Sequence, residues 1–317
     1  RQYFHDERLI QLMEFPVLFL GALPADTPAL YSLMNHASLK LGTWYPMGGM
    51  HRIVQGLAAV AESQGASLAT GEAVQGLDLR GGRIRAVETS QRNLEPDVVV
   101  AGADYHHIET ALLPETARSY SDAYWNKRTM APTALLYYVG LRGRLPELDH
   151  HTLFFDAPFD RHAEAIYRKP AWPEDPLFYV CCPSRTDPSV APEGHENLFF
   201  LIPLSVELAD DEAVRERYFE HILGRLEKHL GRSIRQDICF RQSYARSDFM
   251  ADYNAFKGNA YGLANTLFQT AFFKPRLRSK HVRNLYYTGQ LTVPGPGVPP
   301  SLISGQVVAG EVARQFN

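Results

Sequence analysis

The chain opens with apolar residues at helical spacing. This pattern extends to about residue 40, and Pro24 and Pro28 divide it into two predicted helices. A further amphipathic pattern at residues 50–63 predicts a helix that ends at Gly65, a common position for a left-handed cap. The share of apolar residues in the first two predicted helices fits ordinary packing against a protein core.

After this helix the pattern changes to short alternating strands. Gly81 and Gly82 form a predicted hairpin turn between two of them. A run of valines closes the group at Gly102, where a buried strand would end. The predicted strands of this group cover residues 67–74, 76–79, 83–89 and 98–101.

Longer strands rich in aromatic residues follow, and then a helix at 211–230 that ends at Gly231. Because no helix is predicted between these strands, they favour a mainly antiparallel sheet in an α+β domain. Their aromatic side chains suit either a plain core or the wall of an apolar cavity. The predicted strands cover residues 134–141, 177–182 and 197–202.

The last forty residues predict a buried strand, a stiff loop and a helix. The apolar and aromatic run at 284–288 ends at Gly289, and four prolines in the loop exclude a continued strand. Pro299 and Pro300 stand where helices begin. Gly305 and Ala309 lie four residues apart, so they are predicted to share a face that packs closely on a sheet.

Composition limits the class of protein. The 317 residues carry a formal net charge of -3 and are 45% hydrophobic, which is typical of a globular protein and not of a nucleic-acid-binding one. No apolar run approaches the length of a membrane span. The three cysteines have no zinc-type spacing, and adjacent Cys181 and Cys182 would form only a strained bridge, so a reducing compartment is expected.

Side-chain chemistry alone does not account for an activity. We find no nucleophile motif and no metal-binding motif. The adjacent pairs His106-His107 and His150-His151 are expected to point apart, so no metal site is predicted. A redox cofactor is the natural source of chemistry for such a chain.

The C-terminal stretch at 283–310 resembles the signature of the carotenoid (phytoene) desaturases, a branch of the flavin-containing amine oxidase superfamily. Residues 41–50, 97–104 and 258–263 resemble further stretches of the same family in the same order. The resemblance implies an α/β to α+β fold, the remainder of a two-domain FAD-dependent oxidoreductase with a mainly antiparallel substrate domain.

The resemblance also implies a division of the chain. Residues 1–40 would be the helical part of the substrate domain, in which the first helices form a lid over an apolar ligand. Residues 41–115 would be a segment of the FAD-binding domain, 116–275 the substrate-binding domain, and 276–317 the C-terminal FAD-binding segment.

Eight residues are candidate FAD contacts through the resemblance. Two of them would approach the ribityl or pyrophosphate part, three would line the flavin edge, and two backbone amides would face a flavin carbonyl. A backbone amide near the eighth, in a predicted strand, would touch the adenine. In this order they are Gly289 and Gln290; Gly297, Val298 and Pro299; Ser301 and Leu302; and Val74. No catalytic side chain is assigned.

The function that the resemblance implies is the desaturation of a long polyene such as phytoene, with FAD accepting hydride. Alignment against the flavin and exclusion of water would matter more than a strong base. The alternatives are a carotenoid isomerase, a retinol saturase, an amine oxidase, or a non-catalytic module that binds apolar ligands or partners.

One family element is missing. Enzymes of this type begin with a G-x-G-x-x-G turn that holds the pyrophosphate, and the chain has none. It also begins without Met, so we expect a fragment that binds FAD weakly or not at all alone and is inactive without an N-terminal segment. The parent is expected in the cytoplasm at a membrane surface, with exposed apolar residues around 15–23, and without nucleic acid as a partner.

Overall fold

The chain forms two compact units. The computed structural model describes residues 3–316, and at 18–20 it describes the backbone only. Unit 1 contains the residues up to Met13, 31–68 and 133–247, and unit 2 contains 14–30, 69–132 and the residues from Asp248 onward. The boundaries of these two units differ from those of the four segments that the resemblance implies. The roles of those segments in binding FAD and substrate stay predictions.

The helices and strands are numbered along the chain. The helices are α1 Glu7–Glu14, α2 Leu33–His36, α3 His51–Ser63, α4 Tyr105–His107, α5 Asp122–Asn126, α6 Phe159–Tyr167, α7 Glu212–Leu230, α8 Arg246–Tyr253 and α9 Val298–Phe316. The strands are β1 Val74–Arg80, β2 Arg83–Thr89, β3 Asn93–Leu94, β4 Val99–Ala101, β5 Thr133–Arg142, β6 His151–Phe154, β7 Phe178–Cys181, β8 His195–Leu204, β9 Ile238–Tyr244 and β10 Leu285–Tyr287.

Unit 1 is built on a five-stranded antiparallel sheet in the order β6-β7-β8-β5-β9. One face of the sheet shares its core with α7, where Tyr137 and Phe200 pack around Phe219. Asp211 caps the first turn of α7 by accepting the Val214 amide, and left-handed Gly231 ends the helix. The predicted fold class, with its mainly antiparallel sheet, is confirmed.

The other face of this sheet is aromatic and partly open. Tyr138 and Phe199 are directly opposite each other on β5 and β8, and their ring centroids are 5.4 Å apart. Tyr179 on β7 extends the row, and Tyr138 is 41% exposed. A sheet face of this kind offers flat apolar surface that α7 does not cover.

Unit 2 contains a parallel pair of strands, β4 and β10, and a three-stranded antiparallel sheet, β1-β2-β3. Buried Asn284 joins the two sheets: its amide group accepts the Ile84 N–H at 2.9 Å and donates to the Ile84 and Asp97 carbonyls. Gly81 and Gly82 both have positive φ between β1 and β2, which confirms the predicted hairpin turn.

Several predicted elements differ from the structure. Residues 67–73 form no strand, because the ladder begins at Val74 after a positive-φ turn at Gly71. Val100 is 49% exposed, so the predicted buried run is buried only at Ala101. On α9 the buried residues are Ser304 and Val308, and Gly305 and Ala309 lie beside that face.

The N-terminal part also differs from its prediction. Between α1 and Pro28 it contains only short 3-10 turns, where prolines interrupt any longer helix. Residues 29–41 then form one helical run that passes from a 3-10 turn through α2 to a π-helical turn at Ala37–Leu41. The apolar segment at 15–23 was expected to be exposed. Where side chains are described, Phe15 and Val17 are half-buried and Ala22 is buried, since the backbone at Gly21 packs against Ala131.

No helix within the part of the chain that the structure describes combines the length and the apolar character that crossing a bilayer requires.

Candidate functional site

The carboxyl ends of β4 and β10 in unit 2 open into one cavity. The cavity has a volume of about 610 Å³, and its lining includes Gly102 after β4 and Thr288 after β10. Gly289, Gln290 and Ser301, three of the candidate FAD contacts, also line it. Ligands of α/β folds bind in this position, outside the carboxyl ends of parallel strands.

Gly289 turns the chain away from β10. Its φ is +98°, which a residue with a side chain rarely adopts. The Gly289 amide donates to the hydroxyl of buried Ser304 at 3.0 Å, and that hydroxyl donates to the Ser301 carbonyl at 2.6 Å. Ser304 of α9 therefore sets the position of the turn.

Asn259 orients Gln290. The Gln290 side-chain amide donates to Asn259 Oδ1 at 3.1 Å, and the same oxygen accepts the Gly262 amide at 2.6 Å. Gly262 has φ +77°, and an added Cβ would lie 2.8 Å from the Gln290 carbonyl oxygen. The stretch at 258–263 is thus packed directly against the backbone of a candidate cofactor contact.

Two buried polar groups beside the proline-glycine loop have no hydrogen-bond partner among the described residues. They are Lys274 Nζ and Asn265 Oδ1. Both lie within 3.8 Å of the position that a Cβ on Gly295 would take. Burial lowers the pKa of Lys274 to about 8. An unpaired donor and an unpaired acceptor leave the loop able to bind a polar group.

The start of α9 offers fewer free amides than expected. The helix begins at Val298, and Pro299 and Pro300 have no N–H. The Ser301 amide already donates to the Gly297 carbonyl at 3.0 Å, because Ser301 is within the first helical turn. The Ser301 amide is therefore already engaged in a hydrogen bond within the protein, and its contact with a flavin carbonyl stays a prediction.

The remaining candidate contacts are not among the residues that line the cavity. Four of them belong to the loop and the start of α9, and all four are exposed: Gly297, Val298, Pro299 and Leu302. Val74 is 44% exposed at the start of β1, so it is not an ordinary core valine. Its adenine contact stays a prediction.

Two residues of the site were not singled out from the sequence. Asp104 caps α4 by accepting the His107 amide at 3.0 Å, and its other oxygen accepts the Phe256 amide at 3.1 Å. Burial raises the pKa of Asp104. Asn259 is the second. An Asp after a strand and before a helix is a recognisable cap signal, whereas the contact of Asn259 with Gln290 spans 31 positions and has no local signature.

Comparison with known proteins identifies the family. A family model described as flavin containing amine oxidoreductase matches residues 1–313. The chain belongs to this family. The predicted resemblance to the carotenoid desaturase branch of the flavin-containing amine oxidases is confirmed by named relatives.

Two relatives illustrate the branch. The chain is 43% identical to a carotenoid 3,4-desaturase from Haloarcula japonica, over 97% of this chain and 62% of the relative. It is 32% identical to a zeta-carotene-forming phytoene desaturase from Myxococcus xanthus, over 97% of this chain and 60% of the relative. The chain thus spans less than two thirds of the length of these curated relatives.

Solved structures support the fold. An oxidoreductase from Methanosarcina mazei aligns with a TM-score of 0.65 at 18% identity, over 96% of this chain and 65% of that one. Cyclohexylamine oxidase from Brevibacterium oxydans aligns with a TM-score of 0.55 at 16% identity, over 99% and 66%. At these identities the likeness concerns architecture, which is that of amine oxidase-type folds.

Proposed function

We propose that the chain is part of an FAD-dependent oxidoreductase that desaturates a long polyene such as phytoene. The cavity at the ends of β4 and β10 carries the proposal, because three candidate cofactor contacts converge there in a family whose members contain flavin. The named desaturase relatives support a carotenoid as the substrate class.

The residues present fit a flavin nucleotide. A glycine turn with φ +98° allows close backbone approach at Gly289, and the unpaired Lys274 Nζ and Asn265 Oδ1 can meet polar atoms beside the loop. Gly289 and Gln290 would hold the ribityl or pyrophosphate part, and Gly297, Val298 and Pro299 the flavin edge. Bound FAD would supply the hydride acceptor.

The aromatic row on the sheet of unit 1 supports an apolar substrate. Tyr138, Phe199 and Tyr179 present ring surface on the face that α7 leaves uncovered. Flat aromatic walls bind long apolar molecules and keep water away from them. These side chains would orient the polyene, and the chain offers no assigned acid or base for the reaction.

The full-length protein tests this function. We expect a yellow protein with a flavin absorption spectrum that bleaches when a carotenoid substrate is added without oxygen. The present chain alone should bind FAD weakly or not at all in a titration, since the G-x-G-x-x-G turn is absent from it. A colourless full-length protein would contradict the proposal and favour the non-catalytic binding module.

We also propose that the protein contacts a membrane surface, because a long polyene is dissolved in the bilayer. Leu267, Phe268 and Phe272 are exposed in short turns of unit 2, and the Phe272 and Phe273 rings are adjacent, with centroids 4.4 Å apart. Exposed aromatic clusters insert into lipid interfaces.

Sedimentation with liposomes tests this contact. We expect the full-length protein to pellet with the vesicles, and F268S/F272S to remain largely in the supernatant. F240S is the matched control, because Phe240 is an exposed phenylalanine of unit 1 outside this cluster. Equal sedimentation of the two variants, or no wild-type binding at physiological salt, would overturn the contact.

A further inference from the structure

A cluster of two histidines and one cysteine lies on the sheet of unit 1, next to Tyr179 at the end of the aromatic row. One ring nitrogen each from His150 and His151 and the Cys181 sulfur lie within 4.8 Å of one another. His151 is directly opposite Cys181 in the antiparallel pair β6-β7, so both side chains project from the same face.

The two histidine rings do not point apart as adjacent residues of a strand would. Their centroids are only 4.3 Å apart. The physical reason is that β6 begins at His151, so His150 precedes the strand and escapes its alternation. Two adjacent histidines within one strand would point apart and could not share a metal ion, but the regular strand geometry does not include His150.

Neighbouring hydroxyl groups hold both rings. His150 Nδ1 is 2.6 Å from Thr186 Oγ1, and His151 Nδ1 is 2.5 Å from the Tyr179 hydroxyl. Tyr45 packs edge-on against the His150 ring, with centroids 4.9 Å apart. Partners of this kind orient imidazoles in metal sites and reduce the cost of ordering them on binding.

We propose that His150, His151 and Cys181 form a binding site for a thiophilic transition-metal ion such as Zn²⁺. Two imidazoles and a thiolate suit Zn²⁺, whereas Mg²⁺ and Ca²⁺ require oxygen ligands. Three protein ligands leave the fourth tetrahedral position to water. On binding, the Cys181 thiol releases its proton to solvent and its sulfur donates an electron pair to the metal.

The geometry needs only a small closure. Metal–ligand bonds of about 2.0 to 2.3 Å place tetrahedral ligand atoms roughly 3.3 to 3.8 Å apart. The present separations reach 4.8 Å, so a movement of about 1 Å by a side chain completes the site. His151 is exposed and can make this movement without disturbing the core.

A bound ion would connect β6, at the edge of the sheet, to β7. His151 and Cys181 are 30 positions apart in the sequence, and the two strands pair through only four residues each. A metal that binds the folded state and not the unfolded chain stabilises the folded state by mass action. We therefore expect Zn²⁺ to raise the unfolding temperature of the protein.

Titration with Co²⁺, a spectroscopic substitute for Zn²⁺, tests the site in protein that carries no histidine tag. We expect one equivalent of Co²⁺ to produce a thiolate-to-cobalt charge-transfer band and the visible bands of tetrahedral coordination, all removed by excess Zn²⁺. C181S should lose the charge-transfer band. H151A should weaken the affinity about 10-fold or more.

C239S is the matched control, because Cys239 is an exposed free cysteine on β9, outside the cluster. It should titrate as the wild type does. Absence of the charge-transfer band in the wild-type protein, or its persistence in C181S, would overturn the site. If C181S fails to fold by circular dichroism, H151A decides, because unchanged Co²⁺ affinity in that variant also overturns the site.

Discussion

G262A is expected to lower the free energy of unfolding by about 3 kcal/mol, from left-handed backbone strain and steric overlap together. Gly262 has φ +77°, and the added methyl carbon would lie 2.8 Å from the Gln290 carbonyl oxygen and 3.2 Å from its carbon. Backbone atoms cannot rotate away as a flexible side chain can, so the chain around Gln290 must shift.

The shift should also reach the candidate cofactor contacts. Asn259 Oδ1 accepts both the Gly262 amide and the Gln290 side chain, so displacement of one disturbs the other. Under the proposed function, full-length G262A should therefore retain less flavin after gel filtration than the wild type. Urea unfolding followed by circular dichroism measures stability, and the flavin-to-protein absorbance ratio measures occupancy.

G305A is the control for adding a methyl group. Gly305 lies within α9, and a Cβ there would meet no atom within 4 Å. Alanine should leave stability unchanged or raise it by up to about 1 kcal/mol, because it favours the helix. If G262A unfolds at the same urea concentration as G305A, the close packing of Gly262 on Gln290 is not what holds this turn.

Capping residues and turn glycines correctly predicted the elements whose geometry depends on residues close together in the sequence. Asp211 and Gly231 mark the ends of α7, and Gly81-Gly82 marks a hairpin, because capping and positive φ depend on residues within a few positions. The strand before Gly289 is also found from its apolar run. Such elements are recognisable without knowledge of their partners.

Elements that depend on distant partners were not predicted. Strands β6 and β9 were missed because both lie at the edges of the sheet and carry polar residues that a periodicity argument rejects. The packed face of α9 was placed one residue away from Ser304, because small residues suggested close contact while the hydroxyl of Ser304 in fact binds the Gly289 amide.

The candidate site shows the same difference between features that depend on neighbouring residues and features that depend on distant ones. The resemblance to carotenoid desaturases led to Gly289, Gln290 and Ser301, which line one cavity. It did not reveal the Asn259 contact, since that depends on a loop 31 residues earlier in the chain. The cluster of His150, His151 and Cys181 was also hidden, because a cross-strand register brings its members together.

E109Q is expected to destabilise unit 2 by about 3 kcal/mol, since it leaves a buried donor without an acceptor. Glu109 is fully buried, and its carboxylate accepts three hydrogen bonds: from the Ser119 amide at 2.8 Å, the Tyr120 amide at 3.1 Å and the Tyr287 hydroxyl at 3.0 Å. Glutamine has nearly the same shape, so the effect comes from hydrogen bonding and charge.

The carboxylate suits this position because all three neighbours are donors. A glutamine must direct its NH₂ group toward at least one of them, which replaces an attraction by a donor–donor contact. Tyr287 connects the site to the core, because its ring stacks on Tyr105 with centroids 3.7 Å apart. Burial, together with the charge of Glu109, raises the pKa of Tyr287, so its hydroxyl stays protonated and donates.

Tryptophan fluorescence can follow this unit alone. Trp125 is fully buried, and its ring centroid lies 5.8 Å from that of Tyr105. When Trp44 and Trp172 are replaced by phenylalanine, Trp125 is the remaining tryptophan and reports the unfolding of unit 2 in urea titrations. E115Q removes a charge at an exposed glutamate of the same unit and should change stability by less than about 0.5 kcal/mol. Equal midpoints for E109Q and E115Q would mean that the three donors find other acceptors, whereas a loss confined to E109Q assigns the stability to this carboxylate.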